Sequence, residues 1–401
     1  MLGYLAPLLP DTLHLSCPPL GLVMVLVTPQ FAVFDTATLS KVSRDYWSAD
    51  DAAREKARTW LDNLAARGVH VVFTCTHIFE LLRYADKAVV LDRLAFLRKI
   101  PLIAWLRPYS GAWFPGGLPD LLCRELHEVM HASQTTWEDV IASVRSTMWE
   151  TGVGSEMFVE DDFLWAVVRE EAKRQHAHEK YVASIARTDP GRTSTLTLRE
   201  AQSLPRRPRA EWQRYVTHLG RDLHQQMVQH GDKRMEYVAA HSAKFAVDAF
   251  KRVESLDPAT DMLEQMRTGL NIPEEFISLD MTIGEFGALG VYAKQLQILG
   301  EGLMPPIALS MRDVPPDTLP SHVLEKRLSA IQRRSARVSG SDLGDGFIAP
   351  LVLYADRVEV DKRTHEYLNQ VRRMDPRMGV LMKPYFSCPK YERLPDKFNT
   401  G

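Results

Sequence analysis

Along the first quarter of the chain, hydrophobic positions come in short unbroken runs separated by stretches of helical spacing. FAVF, which ends on Asp35, VHVVF (69–73) and PLIAW (101–105) are such runs, and VHVVF has the β-branched continuity of a strand covered on both faces. VMVLV, cut off from FAVF by Pro29, is a further β-rich segment. TATLSKVSRDYWS (36–48) and residues 49–67 read as helices, the second stopped by Gly68. THIFELLRYADKAVVLDRLAFLRK (76–99) reads as one or two more. Strands alternating with helices predict an α/β fold with a central parallel sheet.

After Pro108 the pattern changes. SGAWFPGGLPD is a Gly/Pro loop, and beyond it helical spacing dominates to about residue 335, over 119–131, 135–149, 155–185, 209–230, 232–255, 282–300 and 321–337. Turn-forming stretches such as RTDPGRTST, SLPRRPR and MPPIALSMRDVPPDTLP separate these helices, and no fixed-period repeat is present. The α/β pattern resumes near Asp342 with a short helix, the strand RVEV and the helix KRTHEYLNQVRRM. The expected organisation is one α/β domain built from residues 24–107 and 338–401, split by a large, mainly α-helical insertion at 108–337.

Composition alters little in this picture. The chain has 401 residues, 45% hydrophobic and 25% charged, with a net charge of −2, so any nucleic-acid surface must be a local patch. The four cysteines, Cys17, Cys75, Cys123 and Cys388, lie far apart without a C-x-x-C, which favours reduced thiols and a cytoplasmic location over a disulfide framework. Residues 1–34 carry only Asp11 among Asp, Glu, Lys and Arg. LGLVMVLV is too short to span a bilayer and follows no basic residue, so neither a membrane segment nor a signal peptide is expected. Residues 1–23 read as an extension ahead of Met24.

The informative pattern is acidic. In SDLGDGFIAPLVLYADRVEVDKRT (341–364), Asp342 and Asp345 precede an apolar run, and Asp356, Glu359 and Asp361 follow it. Asp35 ends an apolar strand, and parallel sheets place their sites at that carboxyl edge. Glu80 sits among Ile78, Phe79, Leu81 and Leu82, where a carboxylate is costly to bury unless paired or bound to a cation. Clustered carboxylates suit a hard cation such as Mg²⁺ or Mn²⁺, and such an ion suits phosphodiester hydrolysis. Plainer roles stand beside this one. Asp342 or Asp345 would serve as a helix N-cap, Asp356 as a turn acid and Glu359 as a solvent-facing strand residue. Glu80 would pair with Arg83 or Lys87.

With these residues in place, the chain resembles PIN-like nuclease domains. FAVFDTATLS is similar to their opening strand, Asp and helix; Glu80 matches their second acid; and 341–364 resembles the closing segment of one subgroup. The resemblance covers about 35–107 and 338–375. It implies a three-layer fold and a metal-dependent endonuclease acting on RNA, or less often DNA, frequently as a toxin or defence effector. It also implies Asp35, Glu80, Asp345 and Asp361 as metal ligands, with Asp342 and Asp356 as reserve catalytic acids. Ala37 stands where many relatives carry a small polar residue, and the interval from Glu80 to Asp342 far exceeds a compact PIN domain.

For substrate contact, Arg333, Arg334 and Arg337 in RLSAIQRRSAR lead into the acidic segment, and Lys362 and Arg363 leave it. PRRPRAEWQR (205–214) gathers bases around Trp212. The helical insertion is expected to meet an inhibitory or effector protein partner. Two alternatives belong to other classes. His127-Glu128-x-x-His131 matches the zinc-peptidase pattern, with Glu150 as a candidate third ligand. A non-catalytic helical binding protein is the other. A haloacid-dehalogenase reading of FDTATL fails because Ala37 replaces its general acid, QHAHEK (175–180) reads as a solvated helix face, and no phosphate-binding glycine loop is present.

Overall fold

The computed structural model describes residues 28–131, 136–188, 195–203, 209–229, 235–255, 262–333, 346–388 and 390–398. Its first half alternates β1 (Gln30–Val33), α1 (Thr36–Tyr46), α2 (Asp51–Ala66), β2 (Val69–Phe73), α3 (Cys75–Leu82), α4 (Lys87–Leu97) and β3 (Ile103–Leu106). These elements follow the apolar runs and helical spacings of the sequence. Gly68, at φ +66°, turns the chain from α2 into β2, as a helix-terminating glycine does.

Further along come α5 (Leu118–His131), α6 (Trp137–Thr147), β4 (Trp149–Gly152), α7 (Gly154–Met157), α8 (Asp162–Thr188), α9 (Leu198–Ser203), α10 (Arg209–Gln229), α11 (Met235–Ser255), α12 (Met262–Gly269), α13 (Ile283–Gly302) and α14 (Pro320–Arg333). The closing part holds a buried 3₁₀ turn (Ala349–Leu353), then β5 (Arg357–Glu359), α15 (Lys362–Met374), α16 (Pro376–Leu381) and β6 (Tyr385–Phe386). The described strands form one sheet in the order β4-β3-β2-β1-β5-β6. Every pair is parallel except β3–β4. The fold is therefore α/β with a mostly parallel sheet, as expected.

Strand residues alternate between two apolar layers. Val33, Val72, Ala104 and Val358 face one layer, in which α5, α6, α13 and α14 cover the sheet. Ala32, Phe34, Val71, Phe73 and Trp105 face the other, built from α1–α4, the start of α8 and residues 391–398. Residues 108–337 supply β4 and most of the covering on one face, so the sheet is not complete without them. Away from the sheet, α10 and α11 close a small core of Leu223, Met227 and Val238, joined by Tyr181 of α8. No helix among the described residues is long and apolar enough to cross a membrane.

Glu125 ties this covering layer to the closing segment. Fully buried on α5, it accepts hydrogen bonds from Ser321 N at the start of α14, at 3.1 and 3.2 Å to its two oxygens. It also accepts one from the Tyr354 hydroxyl. These donors favour the charged form, but loss of solvent outweighs them and pushes the carboxyl up to about 7. The folded chain thus holds this proton more tightly than an unfolded chain, whose carboxyl stays near 4.5. The resulting stability is fully present below about 4.5 and is lost as pH rises to about 7. Glu125→Gln should remove this pH dependence. The variant's thermal-unfolding advantage over wild type should grow across that window, by on the order of 3 kcal/mol in total; a constant difference would assign the titration elsewhere.

Candidate functional site

Asp35, Glu80, Glu359 and Asp361 line one pocket at the carboxyl edge of the sheet, together with Ile348, Val360 and Thr364. Each acid arrives by a different local device. Asp35 leaves β1 and caps α1, its Oδ1 accepting from Ala37 N at 2.9 Å. Asp361 follows β5 and caps α15, accepting from Thr364 N at 2.5 Å. Glu80 projects from α3, whose start is held by buried His77. His77 Nδ1 accepts from Thr74 N at 3.1 Å, which leaves Nε2–H to donate to Phe34 O at 3.2 Å, one residue before Asp35. Burial drives that imidazole down to about 4, so it stays neutral.

Glu359 is the member that sequence reasoning placed wrongly. It was expected to face solvent, yet it is 3% exposed. Its Oε2 accepts from Asp35 N at 3.2 Å and its Oε1 from the Thr38 hydroxyl at 2.9 Å. The reason is topological. β5 lies between β1 and β6 with helices on both faces, so the residue alternating with Val358 and Val360 is buried too.

The acids are close enough for the charge of one to act on another. Burial raises Asp35, and the charge of Asp361 adds to it. Glu80 is raised mainly by burial, with Asp35 adding to it, while nearby Thr36 and Arg83 pull it down. Glu359 is pushed up to about 8, first by burial and then by Asp35, against the hydrogen bond from Thr38. Glu80 also meets Arg83 at 3.5 Å, the plainer pairing anticipated for it. Arg83 in turn reaches Glu179 at 3.2 Å and His176 at 2.9 Å on α8, so the region after β3 contacts the site through this arginine.

Of the other expected site residues, Asp356 does not line this pocket. Asp356 precedes β5 and stands at the amino edge of the sheet, not with the catalytic candidates. Its Oδ2 accepts from Phe31 N at 2.9 Å and its Oδ1 pairs with Arg145 of α6. Asp342, Asp345, Arg334 and Arg337 lie outside the described residues, as does the side chain of Arg333. Lys362 is exposed beside Asp361, and Arg363 is half-buried. On α5 the His127 and His131 rings stack with centroids 4.1 Å apart, His131 Nδ1 donates to the His127 carbonyl at 2.7 Å, and Glu150 is exposed on β4.

The space between the acidic side chains admits roughly 10 Å³ of water-sized sphere, about what one water or ion needs. Its donors are all oxygen, the chemistry Mg²⁺ and Mn²⁺ favour, and the mutual raising of the acids is what a cation would offset. Among the described residues, neither these acids nor the α5 histidines are drawn into a set of three or more ligands positioned to hold an ion. No protein-family model matches the chain, and no curated protein or solved structure matches it.

The raised Glu359 acid gives a direct check. Infrared difference spectra between wild type and Glu359→Gln should contain a protonated carboxylic acid at pH 7 that disappears as pH passes about 8. A band already gone by pH 6 would contradict the burial of this group.

Proposed function

We propose that this protein is a PIN-like, metal-dependent nuclease that hydrolyses phosphodiester bonds, RNA being the first candidate substrate. The observation that carries the reading is the convergence of Asp35, Glu80 and Asp361, from three separate segments, on one pocket at the carboxyl edge of a parallel sheet. These three residues would hold Mg²⁺ or Mn²⁺ through their carboxylate oxygens once their side chains draw together around the ion, which they do not surround in this arrangement. Such an ion supplies Lewis acidity, lowering the pKa of water and offsetting charge on a departing oxygen. Glu359 does not need to touch the substrate. By accepting from Asp35 N and the Thr38 hydroxyl it sets the position of the Asp35 carboxylate.

The contact between α8 and Arg83 supports a regulatory role for the helical region. Arg83 shares its charge between Glu80 and Glu179, so a protein partner that moved α8 would alter the charge next to a pocket acid. An inhibitory or effector partner acting there fits a cytoplasmic toxin or defence effector.

Asp35→Asn should keep the helix cap, because Asn also accepts from Ala37 N, and should leave thermal stability near wild type. Loss of residues that merely orient metal ligands costs about 10–100-fold, so loss of a ligand should lower Mg²⁺- or Mn²⁺-dependent RNA cleavage by at least about 100-fold. Undiminished cleavage by this variant would end the reading. A second check needs no turnover. Adding Mn²⁺ should lower the midpoint at which Glu359 loses its proton, whereas an unmoved midpoint would place the ion elsewhere.

A further inference from the structure

The first turns of α8 are apolar on two sides. Trp165, Val168 and Ala172 are buried in the layer over the sheet. Phe163 and Val167, one helical turn apart on the other side, are 79% and 53% exposed. Val153 and Val159, on the approach to this helix, are exposed as well. The segment is nonetheless firmly held. Arg98 donates to Phe158 O at 2.7 Å and to Val159 O at 2.9 Å, and Trp165 Nε1 donates to Val159 O at 2.8 Å. A Cβ on Gly154 would collide with the Leu97 carbonyl, so that approach requires glycine. Acids share the stretch. Glu156, Glu160 and Asp162 are exposed, and none makes an ion pair among the described residues.

A second apolar corner carries the opposite charge. Val380 on α16 is 86% exposed, and Met374, at the end of α15, is 57% exposed. This corner is fixed too. Asp375 accepts from Met378 N at 3.1 Å and pairs with Arg327 of α14 at 3.4 Å. A Cβ on Gly379 would stand 2.9 Å from Arg372 Cγ, so α16 lies tight against α15. Around the two apolar side chains stand Arg372, Arg373 and Arg377, all exposed. Arg372 lies over the Tyr385 ring, 4.7 Å from its centroid. Arg373 meets Glu366 at 3.1 Å and Arg377 meets Glu138 at 3.7 Å. Both pairs are open to solvent and therefore weak, so these guanidinium groups can take new partners at little cost.

The two surfaces lie at opposite ends of the sheet. Val153 directly follows β4 and α16 comes immediately before β6, and these are the outer strands, with four others between them. Within one molecule the surfaces do not meet. Each has exposed apolar side chains, one with acids that lack cations and the other with cations in excess of acids. We infer that they dock on each other between copies, so that this chain assembles head to tail. Phe163 and Val167 of one copy pack on Val380 and Met374 of the next, and the arginines meet the free acids around that contact. The apolar contact supplies the attraction, and the charges select the partner and its orientation. Because the two surfaces differ, each pairing leaves one of each unused, and copies add until a ring closes or a filament grows. Neither surface includes a pocket acid, so the assembly stands apart from the nuclease reading.

Sedimentation velocity of the full chain, at concentrations up to about 100 μM, tests this. The wild type should sediment as species larger than a monomer, and added salt should shift it towards the monomer. Phe163→Asp and Val380→Asp each set a charge against apolar surface, and each should weaken self-association at least about tenfold. The decisive measurement mixes the two variants, since each keeps the surface that the other has lost. The mixture should form a one-to-one dimer that grows no further. Should Phe163→Asp lower the thermal unfolding midpoint, Glu160→Lys tests the same surface through charge alone and should also weaken association. Three results would overturn the inference. A wild-type monomer at every concentration would leave these surfaces to a different protein. Variants that fail to pair when mixed would point to a symmetric contact, and assembly unchanged by both Asp substitutions would place the contact elsewhere.

Discussion

The parallel pairing of β1 with β5 is the contact on which the rest of this structure depends. It joins segments 325 residues apart and is only a few residues long, so its ladder alone is a slender tether. A carboxylate secures each end. At the amino end Asp356 accepts from Phe31 N, and its own N donates to Phe31 O at 2.8 Å. At the carboxyl end Glu359 accepts from Asp35 N and from Thr38 on α1. Because these partners are directional, they oppose a slip in register that would turn Glu359 onto the other face and move Asp361 away from Asp35.

That clamp has an electrostatic cost that shapes the site. Glu359 and Asp35 are both buried near other acids, and each is raised for that reason. A second buried acid, Glu125, binds the layer over the opposite face of the sheet to Tyr354 in the closing segment. The helical region is therefore coupled to the sheet by buried hydrogen bonds at Glu125 and by the Arg83 network at Glu80. A region joined in this way is not an appendage, and displacement of its helices would be felt at the pocket.

Much of the architecture was legible because its signals are local. The runs FAVF and VHVVF and the glycine after α2 mark β1, β2 and the turn from α2 into β2, and helical spacing marks α10, α11 and α15. β4 escaped notice because WETG has no apolar alternation. It is a strand because the open edge of β3 needs a partner, Trp105 lying opposite Glu150. β6 is two residues long and carries no periodic signal at all. The site was partly legible on the same grounds. Asp35 and Asp361 stand at strand ends that the sequence announces, whereas Glu359 is buried in the pocket and Asp356 is paired with Arg145 at the opposite edge. Local alternation assigned Glu359 to solvent, and only the neighbouring strand β6 and the helices on both faces made its side of β5 interior.

By itself, the sequence determined the α/β class, the strands that form the centre of the sheet and the acids at their carboxyl ends, because apolar runs and strand-terminal charges are short-range features. Tertiary structure alone decided which acids meet. It placed Glu80 beside Asp35 through the His77 contact with Phe34, moved Asp356 to the far edge and drew Glu359 into the pocket. Such choices rest on pairings between residues hundreds of positions apart and on the loss of water around them, and neither leaves a mark in the order of neighbouring residues.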